Sequence, residues 1–232
     1  MKILAKSEPQ LTLQEHVDDC LLIWENLRVC FCQVKDLQPL LGSLDFWTFL
    51  RQCVIFHDLG KAHSEFQKLL QNQPNAWNRQ RHELFSLPFI EAFNIDEDLR
   101  KLMRLVIAGH HKNFDTLYHQ FIRPYYRSPT SNPLDFEEEE KLVFAEEFKK
   151  VDQPGIVALL NSAYGISLSS LGKVTSPEKT IGSYLNKATT GRITVGEANY
   201  FQLLLLFGAL KHCDHLGSAR IPMIETIESK RF

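Results

Sequence analysis

Apolar residues in this chain recur at three- and four-residue intervals over long stretches and almost nowhere at every second position. That period belongs to helices burying one stripe, so a mostly helical chain is expected and an extended sheet is not. Thr12-Leu13-Gln14-Glu15 fits a capping box, in which Thr12 and Glu15 satisfy each other's orphan backbone N–H groups. Leu13, Val17, Leu21 and Trp24 follow on one face. A second helix is expected from Ser43 as its cap to about Asp58, with Phe46, Phe49, Leu50, Cys53 and Val54 inward. Gly60 then offers a helix end that tolerates positive φ. A shorter helix runs through Phe66, Leu69 and Leu70, and the polar QNQPNAWNRQ after it reads as a loop. Asn94 or Asp96 starts a further helix, with Leu99, Leu102, Met103 and Val106 as its stripe and its end near Gly109. Residues 123–134 hold three prolines and read as an exposed loop. Glu137–Glu140 open a charged helix to about Lys150, their acids suiting its N-terminal end. Ser176-Pro177 fits an N-cap followed by proline at the first helical position. The last strong helix covers roughly Glu197–Cys213, and residues 155–171 fit helix or loop equally.

Composition narrows the class further. At 232 residues the chain suits one large domain or two small ones. Its 44% apolar and 23% charged residues are ordinary for a globular protein, which excludes disordered, collagenous and disulfide-scaffold classes. The longest greasy stretch, Phe201–Leu210, is too short to span a bilayer, so no membrane is expected. MKILAKSEPQ has no apolar core or cleavage site, so no signal peptide is expected. Five cysteines make an odd number, and Cys30 and Cys32 form C-x-C rather than a C-x-x-C zinc half-site. Reduced, mostly buried cysteines in a cytoplasmic protein follow. A formal charge of −2 gives no bulk attraction to nucleic acid, which would need a local patch or bound cations.

The chemistry concentrates in nine histidines, several beside acids. HDLGK, residues 57–61, pairs an imidazole with a carboxylate at a chain bend. Imidazole suits Mn, Fe, Co, Ni or Zn, and a carboxylate can bridge two divalent ions. Lys61 adds a point charge that can meet a phosphate. Gly109-His110-His111 closes the helix expected from Asn94 or Asp96. Taken singly, each remaining candidate has a plain structural reading: His110-His111 as exposed polar residues, Arg81-His82-Glu83 as a solvated patch, His16 as a satisfied semi-buried histidine, Asp214 as a polar helix end. LSSLGKVT resembles a phosphate loop only briefly. Gly165 and Gly172 are separated by six residues rather than four, and Val174 replaces the required Ser or Thr, so no ATP binding is expected.

Their order along the chain carries more than any one of them. EHVDD around His16, HDLGK, RHELFS around His82, AGHH and KHCDHLGSAR follow the HD-domain metal-hydrolase pattern and, more narrowly, resemble the HD nuclease of type I CRISPR systems. In those systems the domain is a free-standing protein or the N-terminal part of the nuclease–helicase called Cas three. The likeness runs from about residue 5 to 221.

That resemblance implies an all-α, single HD-domain helical bundle over residues 1–232 with a two-metal site. His16, His57, Asp58 and Asp214 would hold one divalent ion. Asp58 would bridge to a second ion held by His82, His110 and His111. The ions would be Mn, Co, Ni, Fe or Mg. Lys61 and Asp58 would be catalytic, with Lys61 near the scissile phosphate, and Ser218 would support Asp214. His63, His119, His212 and His215 match no ligand position and read as surface or supporting residues, although His212 or His215 could displace Asp214 from its role. The implied activity is metal-dependent endonucleolytic cleavage of single-stranded DNA in CRISPR interference, an antiviral defense. The implied partners are a helicase domain or subunit that feeds the strand and an RNA-guided CRISPR surveillance complex. Arg79, Arg81, Lys112, Arg123 and Arg127 could line a strand path, with Tyr125 and Tyr126 for base stacking. The alternative is an HD phosphohydrolase acting on nucleotides or cyclic dinucleotides, although the GYP signature of the cyclic-dinucleotide branch is missing. A degenerate HD fold serving only to bind would have lost ligand positions, and all seven are filled.

Overall fold

Thr12 starts the first helix as its sequence dictates. Its hydroxyl accepts from the Glu15 N–H at 3.2 Å, and the Glu15 carboxylate accepts from the Thr12 N–H at 2.8 Å. The computed structural model describes residues 2–32, 44–77, 80–111, 144–169, 171 and 197–220, with only the backbone of 197–203. Two short antiparallel strands, β1 (Leu4–Lys6) and β2 (Leu11–Thr12), lead into α1 (Leu13–Cys30). The alternation was too brief to announce them.

Asp45 caps the second helix, its carboxylate accepting from the Trp47 and Thr48 N–H groups at 3.0 and 3.2 Å. Ser43, the expected cap, lies outside the described residues. This helix, α2 (Phe46–Phe56), is apolar on almost every side and buried accordingly. It stops at His57 and continues as a 3-10 turn, Leu59–Ala62. The short α3 (Ser64–Leu70) follows.

The next helix, α4 (His82–Glu91), was not anticipated. RHELFSLPFI shows no stripe because it is covered on nearly all sides, and Pro88 sits inside it. Packing overrides the cost of a proline within the helix. Of the two suggested caps for α5 (Glu97–Gly109), Asp96 does the work, accepting from the Asp98 N–H at 2.9 Å. The charged helix expected from Glu137 is described only from residue 144, with helix over 144–148. The ambiguous stretch resolves into α6 (Gln153–Tyr164), ended by Gly165 in the left-handed region at φ 66°. Gly165 is thus a helix stop and not part of a phosphate loop. The final helix, α7 (Glu197–Ala219), runs beyond the expected end at Cys213. The 123–134 loop and the Ser176-Pro177 cap fall outside the described residues.

The molecule is an all-α bundle with a two-stranded appendage. α2 lies at its centre, against α1, α4, α5 and α7, while α4 packs on the 3-10 turn and on α5. Phe46, Phe49, Phe56, Phe89, Phe144 and Phe148 fill the core. No disulfide links the five cysteines; Cys20, Cys53 and Cys213 are buried, whereas Cys30 is half-buried and Cys32 exposed. Among the described residues no helix is long and apolar enough to cross a membrane.

Gly60 has a different reason from the expected one. It is not at positive φ; a Cβ there would stand 1.9 Å from the carbonyl oxygen of His82. The glycine lets the turn touch the backbone of α4. Gly60→Ala should therefore force the two apart and destabilise the fold by about 1–3 kcal/mol or more, the cost of overpacking. A urea unfolding midpoint equal to that of the unsubstituted protein would show that this close approach is not needed.

Candidate metal centre

Five helices and the 3-10 turn bring their ends or inner faces to one place. His16 faces inward from the second turn of α1. His57 closes α2 and Asp58 follows it. His82 opens α4, His110 closes α5 with His111 next, and Asp214 faces inward from the later part of α7. All seven residues expected as ligands meet here.

Asp58 is the centre of the cluster. Its Oδ2 lies 2.9 Å from His16 Nε2, 3.2 Å from His57 Nε2 and 2.6 Å from Lys61 Nζ. Its Oδ1 lies 2.9 Å from His82 Nε2 and 3.6 Å from His110 Nε2. The two oxygens thus face two separate groups of imidazoles. Asp214 Oδ1 stands 3.5 Å from His16 Nε2 and 3.6 Å from His57 Nε2, and its Oδ2 stands 3.8 Å from His111 Nδ1. The Ser218 hydroxyl donates to Asp214 Oδ1 at 3.2 Å, a supporting contact as expected.

Two histidines are oriented by the same local device. His57 Nδ1 donates to the Val54 carbonyl at 2.7 Å, and His110 Nδ1 donates to the Ile107 carbonyl at 2.6 Å. A carbonyl can only accept, so Nδ1 carries a proton, and it is Nε2 that faces inward, with a lone pair there whenever the ring is neutral.

The electrostatics are those of a site built for cations. Burial opposes the Asp58 carboxylate, but the charges of His57 and Lys61 outweigh it and hold its pKa well below the usual carboxylate range. Burial likewise opposes Asp214, and hydrogen bonds from His16 and His57 keep it low. Burial works against a charged His57 too, yet Asp58 and Asp214 prevail and raise its pKa to about 10. Burial lowers His82 to about 4, and it lowers His110 and, with the neighbouring His110, His111. Asp58 Oδ2 and His110 Nε2 are buried without a partner in hydrogen-bond geometry. Such atoms are costly unless something else satisfies them. The donor atoms form two groups, His16, Cys20, His57 and Asp214, and Asp58, His82, His110 and His111, each within 4.8 Å of one another and each able to hold a metal ion.

Several expectations change at this site. Arg81-His82-Glu83 is not a solvated patch: Glu83 is buried and paired with Arg81, which removes Arg81 from any strand path. Arg79, Lys112, His119, Arg123, Tyr125, Tyr126 and Arg127 lie outside the described residues. Asp214 is not at a helix end, since α7 continues to Ala219. Its neighbours leave it the inward position, with His212 half-buried and His215 exposed. Of the two readings of His63, surface or supporting, burial excludes the first; it caps α3 by accepting from the Glu65 N–H at 3.2 Å and packs on Trp77 and Phe85. Cys20 was missed. Its only sequence signal is its place four residues after His16, one turn along the same face. Burial, then Asp214, raises its thiol pKa well above the ordinary value.

Among solved structures, the CRISPR-associated Cas3 HD domain protein of Methanocaldococcus jannaschii matches 91% of this chain and 98% of its own length, with a TM-score of 0.52 and 22% identity. This chain has the fold of that HD domain. No family model matches the chain, and no curated protein does. A shared fold does not fix an activity, so function rests on the side chains.

The lowered histidines set the acid response of the metal-free protein. His82 and His110 have folded pKa values below the ordinary 6.5, so the unfolded chain takes up protons first and stability falls as pH drops below about 6.5. His57 acts oppositely. Its contribution is complete below 6.5 and is lost as pH rises toward about 10. In the presence of chelator, the urea midpoint should be highest near neutrality and lower at both pH 5 and pH 10. A midpoint that climbs steadily toward acid would contradict the burial of neutral rings.

Proposed function

We propose that this chain is a metal-dependent HD-type nuclease that cuts single-stranded DNA in CRISPR interference. The observation that carries the reading is the division of Asp58: one oxygen toward His16 and His57, the other toward His82 and His110. A carboxylate so placed suits a bridge between two divalent ions, one held with His16, His57 and Asp214, the other with His82, His110 and His111. The buried, unpartnered His110 Nε2 fits that use. The order of motifs along the chain and the likeness to a protein described as a CRISPR-associated Cas3 HD domain favour DNA as substrate.

A pair of divalent ions would lower the pKa of a water and offset charge on a phosphodiester. The chain itself supplies the rest. Two carboxylates against two divalent ions leave the loaded site cationic, in a protein of formal charge −2. His57 and His110, locked by backbone carbonyls, present fixed lone pairs. Lys61 holds Asp58 at 2.6 Å and adds positive charge on the side where a phosphate arrives. The proposed setting includes a helicase domain or subunit feeding strand and a surveillance complex opening the duplex, in the cytoplasm.

Incubation with circular single-stranded DNA tests the reading. Linear, free-ended product is expected with Mn²⁺, Co²⁺ or Ni²⁺, and less with Mg²⁺, which prefers oxygen donors. Blunt duplex should be cut far more slowly, ATP should have no effect, and chelator should abolish cleavage. Rapid hydrolysis of free nucleotides with DNA untouched would point instead to a nucleotide phosphohydrolase.

Asp58 and Lys61 should differ in kind. Asp58→Ala removes a donor from both ions, so the pair should fail to assemble and cleavage should fall by roughly a thousandfold or more. Lys61→Ala should keep its metal and lose less activity. Metal stoichiometry measured beside cleavage separates the two, and an Asp58→Ala protein that retains two ions would remove this carboxylate from the bridge.

A further inference from the structure

Cys20 stands one helical turn beyond His16 on α1, buried, with its sulfur 3.8 Å from His16 Nε2. Gly217 of α7 backs it so closely that a Cβ there would lie 2.7 Å from the sulfur, which leaves the thiol little room to swing away. Together His16, Cys20, His57 and Asp214 offer four donor atoms within 4.8 Å of one another, all on buried residues. The three edges among the nitrogen and oxygen donors measure 3.3, 3.5 and 3.6 Å. Zinc–ligand lengths of about 2.0–2.1 Å to nitrogen and about 2.3 Å to sulfur give tetrahedron edges of about 3.3–3.6 Å. Those three donors are thus already at tetrahedral spacing; the sulfur stands 3.8 Å from His16 Nε2 and within 4.8 Å of the other two donors, so it has a short distance to close.

Two further observations favour sulfur as the fourth donor. Asp58 Oδ2, the other oxygen facing this group, is buried without a hydrogen-bond partner but carries the Lys61 ammonium at 2.6 Å. A lysine already neutralises it. A divalent ion held by one thiolate, one carboxylate and two neutral imidazoles is also formally neutral, which a buried position tolerates best.

We propose that Cys20 is a metal ligand, and that it makes the His16–His57–Asp214 position select a thiophilic divalent ion of the zinc class in a closed tetrahedral set. On binding, the S–H bond breaks, a sulfur–metal bond forms and the proton passes to solvent. Mg²⁺ gains little from sulfur. In this zinc-loaded form Asp58 stays with Lys61 instead of bridging, and four protein ligands leave no open position for water, so the form would be silent in cleavage. That last consequence rests on the nuclease reading; the ligation itself does not.

The test uses Co²⁺ as a spectroscopic substitute for zinc, one equivalent, in the chain carrying Cys30→Ser and Cys32→Ser to remove the more accessible thiols. A thiolate-to-cobalt charge-transfer band in the near ultraviolet is expected. It should vanish in Cys20→Ser and persist in Cys213→Ala. Zinc affinity should drop about tenfold or more in Cys20→Ser, with Mg²⁺ affinity unchanged. Should Cys20→Ser fail to fold, X-ray absorption of the zinc-loaded protein with Cys20 intact decides, by a sulfur neighbour at about 2.3 Å. Absence of the band and of that sulfur, or a band surviving Cys20→Ser, overturns the proposal. Sulfur ligation in a protein that never cuts DNA would uphold the ligand and sink the nuclease.

Discussion

A carboxylate with no exposure to water is the constraint on which the rest depends. Asp58 is entirely buried, and an isolated charge there would cost more than a domain's whole stability. The chain meets that demand in two stages. Lys61 answers locally: the Lys61 N–H donates to the Asp58 carbonyl at 2.9 Å, and the resulting turn lays the ammonium back over the carboxylate. The remaining partners arrive only by folding, His16 from α1, His82 from α4 and His110 from α5. A bundle that failed to bring those three helices together would leave the charge poorly compensated, so the site and the fold are specified by the same contacts.

Helix ends do the positioning. The last carbonyls of a helix lack intrahelical partners, and that end carries partial negative charge. His57 and His110 each cap their helix and fold back onto the carbonyl three residues earlier. One local device therefore satisfies an orphan carbonyl, fixes a tautomer and aims a lone pair. It also explains why HD and HH stand where apolar stripes stop. His63 uses the opposite end, accepting an orphan N–H of α3 through Nδ1. Its role is structural, although its residue type is the same.

This difference marks what the sequence could disclose. The capping box at Thr12, the cap at Asp96 and the motifs at 57–61 and 108–111 are local, and spacing alone made them visible. The expected ligand roles of His16, His82 and Asp214 came from the order of motifs, because nothing adjacent to them distinguishes a ligand from a satisfied core group. α4 escaped notice because burial on nearly all sides erases the stripe that betrays a helix. Gly60 was noticed for the wrong reason: the approach of its turn to His82 is a contact between residues more than twenty apart, and no local rule reports it. Glu83 hid the same way, since a glutamate beside an arginine and a histidine reads as surface until the core closes over it.

The two donor groups also differ in access, and this gives the site a direction. His16, Cys20, His57 and Asp214 are all buried, whereas His82 is half-buried and His111 exposed. Lys61 keeps a small part of its side chain open, 11%. A ligand approaching from solvent therefore meets His111, His82 and Lys61 before it reaches the inner group. Positive charge and imidazoles at the rim suit a phosphate, which needs offsetting charge where it first loses water. The inner group, with its soft sulfur and closed surroundings, is suited to holding a cation tightly rather than to exchanging water. Such a gradient, from a sealed position beneath α1 and α7 to an open one at the ends of α4 and α5, follows from which helix ends reach the surface and needs no moving part.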